Sequence, residues 1–323
     1  MRHVVPGIAL ACAFLLTAPA ASSQVLTRVD LDNDSFNFWQ PSPRRADREY
    51  TQGTRVARLW PTRSSVASRL LGGPQVCIGA AAARDCRMFS VGLAQAIYTP
   101  ILDPRLRRPE ERPFAGWLGV EMGVQRDRAT SLTAFGLTAG LTGRASLAEP
   151  AQKAIHRLLN FRPPVGWENQ VPTEVAFAVS YLGARRLLGI SSARTGMRVI
   201  MAPIWTARVG SLATDASVGL HLTAGLRPPV PWSGAALRTD DRWGLFVRAG
   251  ATQRAVARNL FLDGSTFGRS ASVQKQTIIG DTEFGIGLRA PAGVIEWRVH
   301  SHSREYRLQP RPHAYSTFAF SLR

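Results

Sequence analysis

Apolar side chains recur at every second position in twelve segments of this chain, near residues 25–32, 51–60, 88–98, 115–127, 130–141, 174–188, 196–210, 214–227, 243–258, 270–289, 293–307 and 313–323. Val175, Phe177, Val179 and Tyr181 alternate with Ala and Ser, and Phe318, Phe320 and Leu322 repeat the pattern at the C-terminus. A period of two lines up one apolar row on one face of a β-strand, so the chain reads as all-β. Beyond the N-terminal segment no run of 18 apolar residues occurs, which removes helical membrane spans but not a transmembrane barrel. Two architectures fit: a closed antiparallel barrel, for which twelve is an acceptable even number, or a soluble β-sandwich. The density of Gly and Ala among the strands favours the barrel. A content of 45% hydrophobic residues with 28 Gly and 21 Pro excludes a disordered or collagen-like chain.

The N-terminus sets the compartment. Arg2 and His3 precede an apolar run from Val4 to Leu16, and Ala18-Pro19-Ala20 supplies small residues at a cleavage-site spacing. Residues 1–23 read as a secretory signal peptide cleaved near 20–24, leaving 24–323 as a single domain; the run is shorter than the roughly 20 residues of a spanning helix. Lys and Arg number 40 against 22 Asp and Glu, a net charge of +18, and all of the cations except Lys153 and Lys275 are arginine. Such a surplus suits nucleic acid, an anionic membrane or a phosphorylated ligand, and export removes nucleic acid. After the signal, Cys77 and Cys86 remain, and an oxidising compartment allows a disulfide between them.

One stretch breaks the alternation. Ser146-Leu147-Ala148-Glu149 matches a capping box, Pro150 falls in the first turn, and Arg162-Pro163-Pro164 ends the element, which predicts a helix of about fourteen residues in a loop or plug. Gln152 and His156 share one of its faces, and Ile155, Leu158 and Leu159 form an apolar flank on which it can sit. His156 is a candidate general base, or a packing residue. In Asp30-Leu31-Asp32-Asn33-Asp34 strand alternation puts three carboxylates on one face, to be bridged by a hard cation such as calcium or simply solvated. His300 and His302 also share a face but lack a third metal ligand. Arg105, Arg107, Arg108 and Arg112 crowd one loop, where they can pair with phosphate. No G-x-S-x-G elbow, P-loop or H-E-x-x-H occurs.

Seven ordered motifs span the mature chain: Asp32-Asn33-Asp34-Ser35-Phe36, Tyr50-Thr51-Gln52-Gly53, Gln95-Ala96-Ile97-Tyr98-Thr99-Pro100, Arg112-Pro113-Phe114-Ala115-Gly116-Trp117, Gln152 to His156, Gly166-Trp167-Glu168-Asn169-Gln170, and Asn259-Leu260-Phe261-Leu262-Asp263-Gly264. Together they resemble the outer-membrane lipid A 3'-O-deacylase family. The resemblance implies a twelve-stranded antiparallel transmembrane outer-membrane β-barrel with a short helix in an extracellular loop. It also implies a calcium-dependent carboxylic ester hydrolase that acts, as a monomer, on lipopolysaccharide in the outer leaflet and removes the 3' acyl or acyloxyacyl group of lipid A. Carried over, it makes His156 the base that activates water and Asp34 a Ca2+ ligand, with Asn33, Thr51 and Gln152 positioning groups around them. The family's cationic side chain maps by spacing to Arg105, and Arg107 or Arg108 serves equally. The sequence departs from the family at two points that bear on the full calcium shell: no acid stands at Asn160 to Arg162, and Ser35 follows Asp34 where a second acid can stand. Two other readings remain for such a barrel: a non-enzymatic porin or binding protein with an arginine-lined lumen, and an outer-membrane phospholipase.

Overall fold

The computed structural model describes residues 25–37, 48–72, 85–100, 110–158, 160–161, 164–232 and 242–322. Residues 1–23, expected to be a signal peptide, and Cys77, Arg105, Arg107 and Arg108 lie outside them. Cys86 is disulfide-bonded.

The strands are β1 (Leu26–Asn33), β2 (Glu49–Pro61), β3 (Asp85–Thr99), β4 (Ala115–Arg128), β5 (Ser131–Thr142), β6 (Val175–Arg185), β7 (Leu188–Ser191), β8 (Met197–Val209), β9 (Ala213–Leu226), β10 (Gly244–Asn259), β11 (Ile278–Ala290), β12 (Gly293–His302) and β13 (His313–Leu322). Each pairs antiparallel with its neighbours, β1 meets β13, and β6 meets β8, so the sheet closes on itself. β6 and the short β7 form one stave interrupted at Arg186 and Leu187, which gives twelve staves. All twelve alternating segments are strands; the segment expected over 270–289 starts its strand only at Ile278.

The alternation has one meaning around the ring. One parity faces outward and is apolar, as in Phe177, Val247, Ile286, Ile295 and Leu137, all substantially exposed. The other faces the lumen and carries Arg28, Asp30, Arg248, Asp281, Glu283 and Arg298. Lipid on the outside and polar contacts within account for both rows. At the end where the chain starts and finishes, three connections are only 129–130, 192–196 and 291–292. Short turns mark the periplasmic end, and the long connection from Gly143 to Glu174 lies at the extracellular end. Leu26, Ala57, Leu59, Met88, Phe246 and Val294 pack together inside the lumen at the periplasmic end. Above them a cavity of about 730 Å3 is lined by paired charges.

Candidate active site

On the outer wall of β1–β4 the register lays down three rows. Val29, Val56, Leu93 and Val120 form an apolar one at mid-depth. The next row up reads Leu31, Thr54, Gln95 and Leu118, and the row at the rim reads Asn33, Gln52, Ile97 and Gly116. Polar side chains therefore break the lipid-facing rule at this point of the circumference. A bulge between Tyr50 and Gln52 inserts Thr51 into β2, and its hydroxyl lies 2.7 Å from the Thr99 hydroxyl across the strands. Bulges re-aim side chains beside functional sites.

The helix Ala148–Leu158 lies against this wall from the outside. A Cβ on Gly116 would come within 2.2 Å of Ser146 Oγ and 2.3 Å of Ala148 Cβ, so only glycine lets the helix approach β4 so closely. Gln95 Nε2 donates to the Ser146 carbonyl at 2.8 Å, and Ala148 packs with Ile97, Phe114 and Trp167. Ser146 Oγ accepts from the Ala148 amide, as a cap should, but Glu149 pairs with Lys153 rather than closing the expected capping box. Eleven residues are helical rather than about fourteen. The seat also differs from expectation. The buried row is Ala148, Gln152 and His156, one turn apart, whereas Leu158 is 77% exposed. On the apolar flank Ile155 is half-buried, and Leu158 turns away.

The Gln152 Oε1 accepts from Trp167 Nε1 at 2.9 Å, and both side chains are fully buried. An indole only donates, so this contact fixes the amide and leaves Nε2 as a donor. The His156 ring stands edge-on to Phe161. The far end of the loop is tied down by Glu174, whose carboxylate accepts from Ser265 Oγ and from the amide and hydroxyl of Thr266. Burial pushes the Glu174 carboxyl up, and these hydrogen bonds outweigh it and hold it below the ordinary carboxylate value.

Asn33 and Asp34 sit where β1 ends at the rim. Asn33 Oδ1 caps a short turn by accepting from the Ser35 amide at 2.7 Å, and the buried Asp34 accepts from the Arg48 amide at 3.1 Å. The three carboxylates expected on one strand face are thereby split. Asp30 and Asp32 point into the lumen, bound by Arg28 and Arg298 and by Tyr50 and Thr317, while Asp34 has left the strand. Among the described residues no group of three or more His, Cys, Asp or Glu could hold a metal ion. The site offers a hard cation one carboxylate, Asp34, with neutral oxygens such as that of Asn33, a donor chemistry that suits calcium at low charge.

Asn33, Asp34 and Thr51 thus lie at the rim of β1 and β2, and Gln152 and His156 lie on the helix seated against the rim of the adjoining β3 and β4. His300 and His302 do not join them: they face the lumen beside Glu283 and Asp281. Arg112 is also turned inward, fully buried between Glu49 at 3.0 Å and Glu305 at 3.3 Å and over the Tyr98 ring, so it serves the fold and not a phosphate. Sequence reasoning gave no role to Gly116, Trp167 or Gln95, although each lies inside a quoted motif.

Among solved structures, the chain is similar to LpxR from Salmonella typhimurium, with a TM-score of 0.73 at 17% identity over 92% of this chain and 99% of that one. The β domain of the Bordetella autotransporter BrkA aligns at a TM-score of 0.45 and 10% identity, covering 93% and 98% of the two chains. No curated protein sequence matches the chain. The family described as outer membrane protein LpxR matches residues 8–323. With nearly the whole chain matched and the barrel shared, this protein belongs to the LpxR family of outer membrane proteins.

Proposed function

We propose that this protein hydrolyses the ester that links an acyl or acyloxyacyl group to the 3' position of lipid A. Family membership supports an outer-membrane hydrolase that modifies lipid A. The observation that carries the finer reading is the buried Gln152–His156 row on a helix seated against the lipid-facing wall, at a rim that carries Asn33, Gln52, Thr54 and Gln95. An amphiphile held in the outer leaflet reaches such a site without entering the lumen.

In this reading His156 takes a proton from water as the water oxygen adds to the ester carbonyl carbon, and the carbonyl π electrons move onto oxygen. Gln152 Nε2 and the Thr51 hydroxyl donate to the oxyanion. Collapse breaks the bond to the sugar 3' oxygen, which takes the proton back from His156, giving a carboxylic acid and a free 3' hydroxyl. Calcium, held by Asp34 and the Asn33 amide oxygen, would supply positive charge beside the carbonyl. Arg105, Arg107 and Arg108 are assigned to the lipid A phosphates.

Mass spectrometry of lipid A from cells expressing the protein or His156→Ala tests the reading, with calcium present and barrel folding checked by heat-modifiable migration. The expected result is loss of the 3' acyl mass in the wild type only. Identical spectra with folded wild type would sink it. Release from phospholipid but not lipid A, in a parallel assay, would make the protein a phospholipase instead. The lumen argues against a porin, because its charges are paired and its periplasmic end is packed with apolar side chains.

A further inference from the structure

The hairpin of β7 and β8 leaves one edge of the wall open. β5 begins opposite Arg185, but the stave runs on through β7, which pairs with β8 from Leu188↔Met201 to Ser191↔Arg198. Among the described residues the other edge of β7 has no strand partner, and all four of its residues are exposed. The hairpin therefore projects beyond the β4–β5 turn at the periplasmic end. Its register keeps Leu188 and Ile190 in the lipid-facing rows of Met201 and Val199, and Ile190 is 60% exposed. Arg185, Arg186, Arg194 and Arg198 are exposed as well, and residues 185–198 contain no acid.

These features set conflicting demands. An open strand edge cannot lie in hydrocarbon, because its backbone groups would lack partners. Exposed Leu188 and Ile190 gain nothing from bulk water. The headgroup layer satisfies both: phosphate oxygens accept from edge N–H groups and from guanidinium forks, and the apolar pair reaches the first acyl carbons. Four uncompensated arginines select headgroups with net negative charge. We propose that the β7–β8 hairpin docks on anionic phospholipid headgroups of the periplasmic leaflet and fixes the depth of the barrel there, on the far side of the membrane from the candidate active site.

The folded protein in detergent micelles is titrated with phosphatidylglycerol or phosphatidylethanolamine, and bound lipid is counted by native mass spectrometry. The wild type is expected to retain phosphatidylglycerol at about tenfold lower concentration than phosphatidylethanolamine. R185Q/R186Q/R194Q/R198Q loses the preference, whereas R269Q/R304Q/R307Q/R311Q, which removes the same charge at the extracellular end, keeps it. If the first variant does not fold, R194Q/R198Q replaces it, with a reduced but measurable loss. Equal loss in both charge-matched variants, or no preference in the wild type, overturns the proposal. So does a photo-crosslinker placed at position 194 in cells that gives a protein-sized adduct, which would point to a periplasmic protein instead.

Discussion

The two faces of the same wall use polar residues for opposite ends. In the lumen charges pair within a strand and across the barrel wall: Arg28 from β1 itself and Arg298 from β12 on Asp30, Arg254 on Asp281 and Arg208 on Asp215 of the next strand, and Arg248 of β10 on Glu296 of β12. On the outside the wall is mostly apolar, but the rim of β1–β4 carries Asn33, Thr51, Gln52, Thr54 and Gln95, and on β3 and β4 it seats a helix that buries Gln152 and His156. Charges that satisfy one another close a structure, while polar groups gathered under a cover at a lipid boundary leave a place for a substrate. Under the proposed function, the lumen carries stability and the rim carries turnover.

The largest effect that would break this division is at His156. His156→Gln should lower lipid A turnover by about a hundredfold to ten-thousandfold while the barrel stays folded, read as released fatty acid per folded protein. Gly116→Val comes next, since its side chain would displace Ser146 and Ala148 and lift the helix from the wall. We expect about a hundredfold loss with unchanged heat-modifiability. Trp167→Phe keeps the packing but removes the donor to Gln152, so kcat should fall about tenfold. That loss should vanish in a Gln152→Ala background if the indole acts through the amide, and additive losses would refute the coupling.

Lumenal substitution should show the opposite signature. Arg298→Met leaves Asp30 without one of its cations and should destabilise the barrel by about 3 kcal/mol in urea unfolding, with turnover per folded molecule unchanged. The smallest expected effect concerns pH. The folded-state pKa of Glu174 is depressed, so its contribution is present above its ordinary value of 4.5 and is lost as pH falls through the lower folded value. Protease cleavage within the loop ending at Glu174 should therefore rise on acidification below about pH 4.5, and Glu174→Gln should flatten that profile.

The helix shows why part of the site was not legible in the sequence. Its capping serine, its proline and the one-turn spacing of Gln152 and His156 were all readable, because they are local. Its seat was misjudged, because a water-soluble helix buries its apolar flank. At a membrane boundary the apolar phase lies outside, so Leu158 turns away and the polar row meets protein. The aspartate run failed for a related reason. Alternation predicts one face for Asp30, Asp32 and Asp34 only while the strand lasts, and β1 stops at Asn33. Nor does any local signal mark Gly116 as the seat of a helix that begins 32 residues later.

Alone, the sequence determined that the chain is exported, that it forms twelve β segments with one lipid-compatible face, and that a single capped helix carries Gln152 and His156, since periodicity and capping are written within a few residues. Only the tertiary structure decided that the helix lies on the outer wall, that Thr51 is a bulge, and that the lumenal arginines are neutralised. Those outcomes depend on register and barrel closure, which pair residues far apart in the chain, as when β1 meets β13 and brings Asp32 against Thr317.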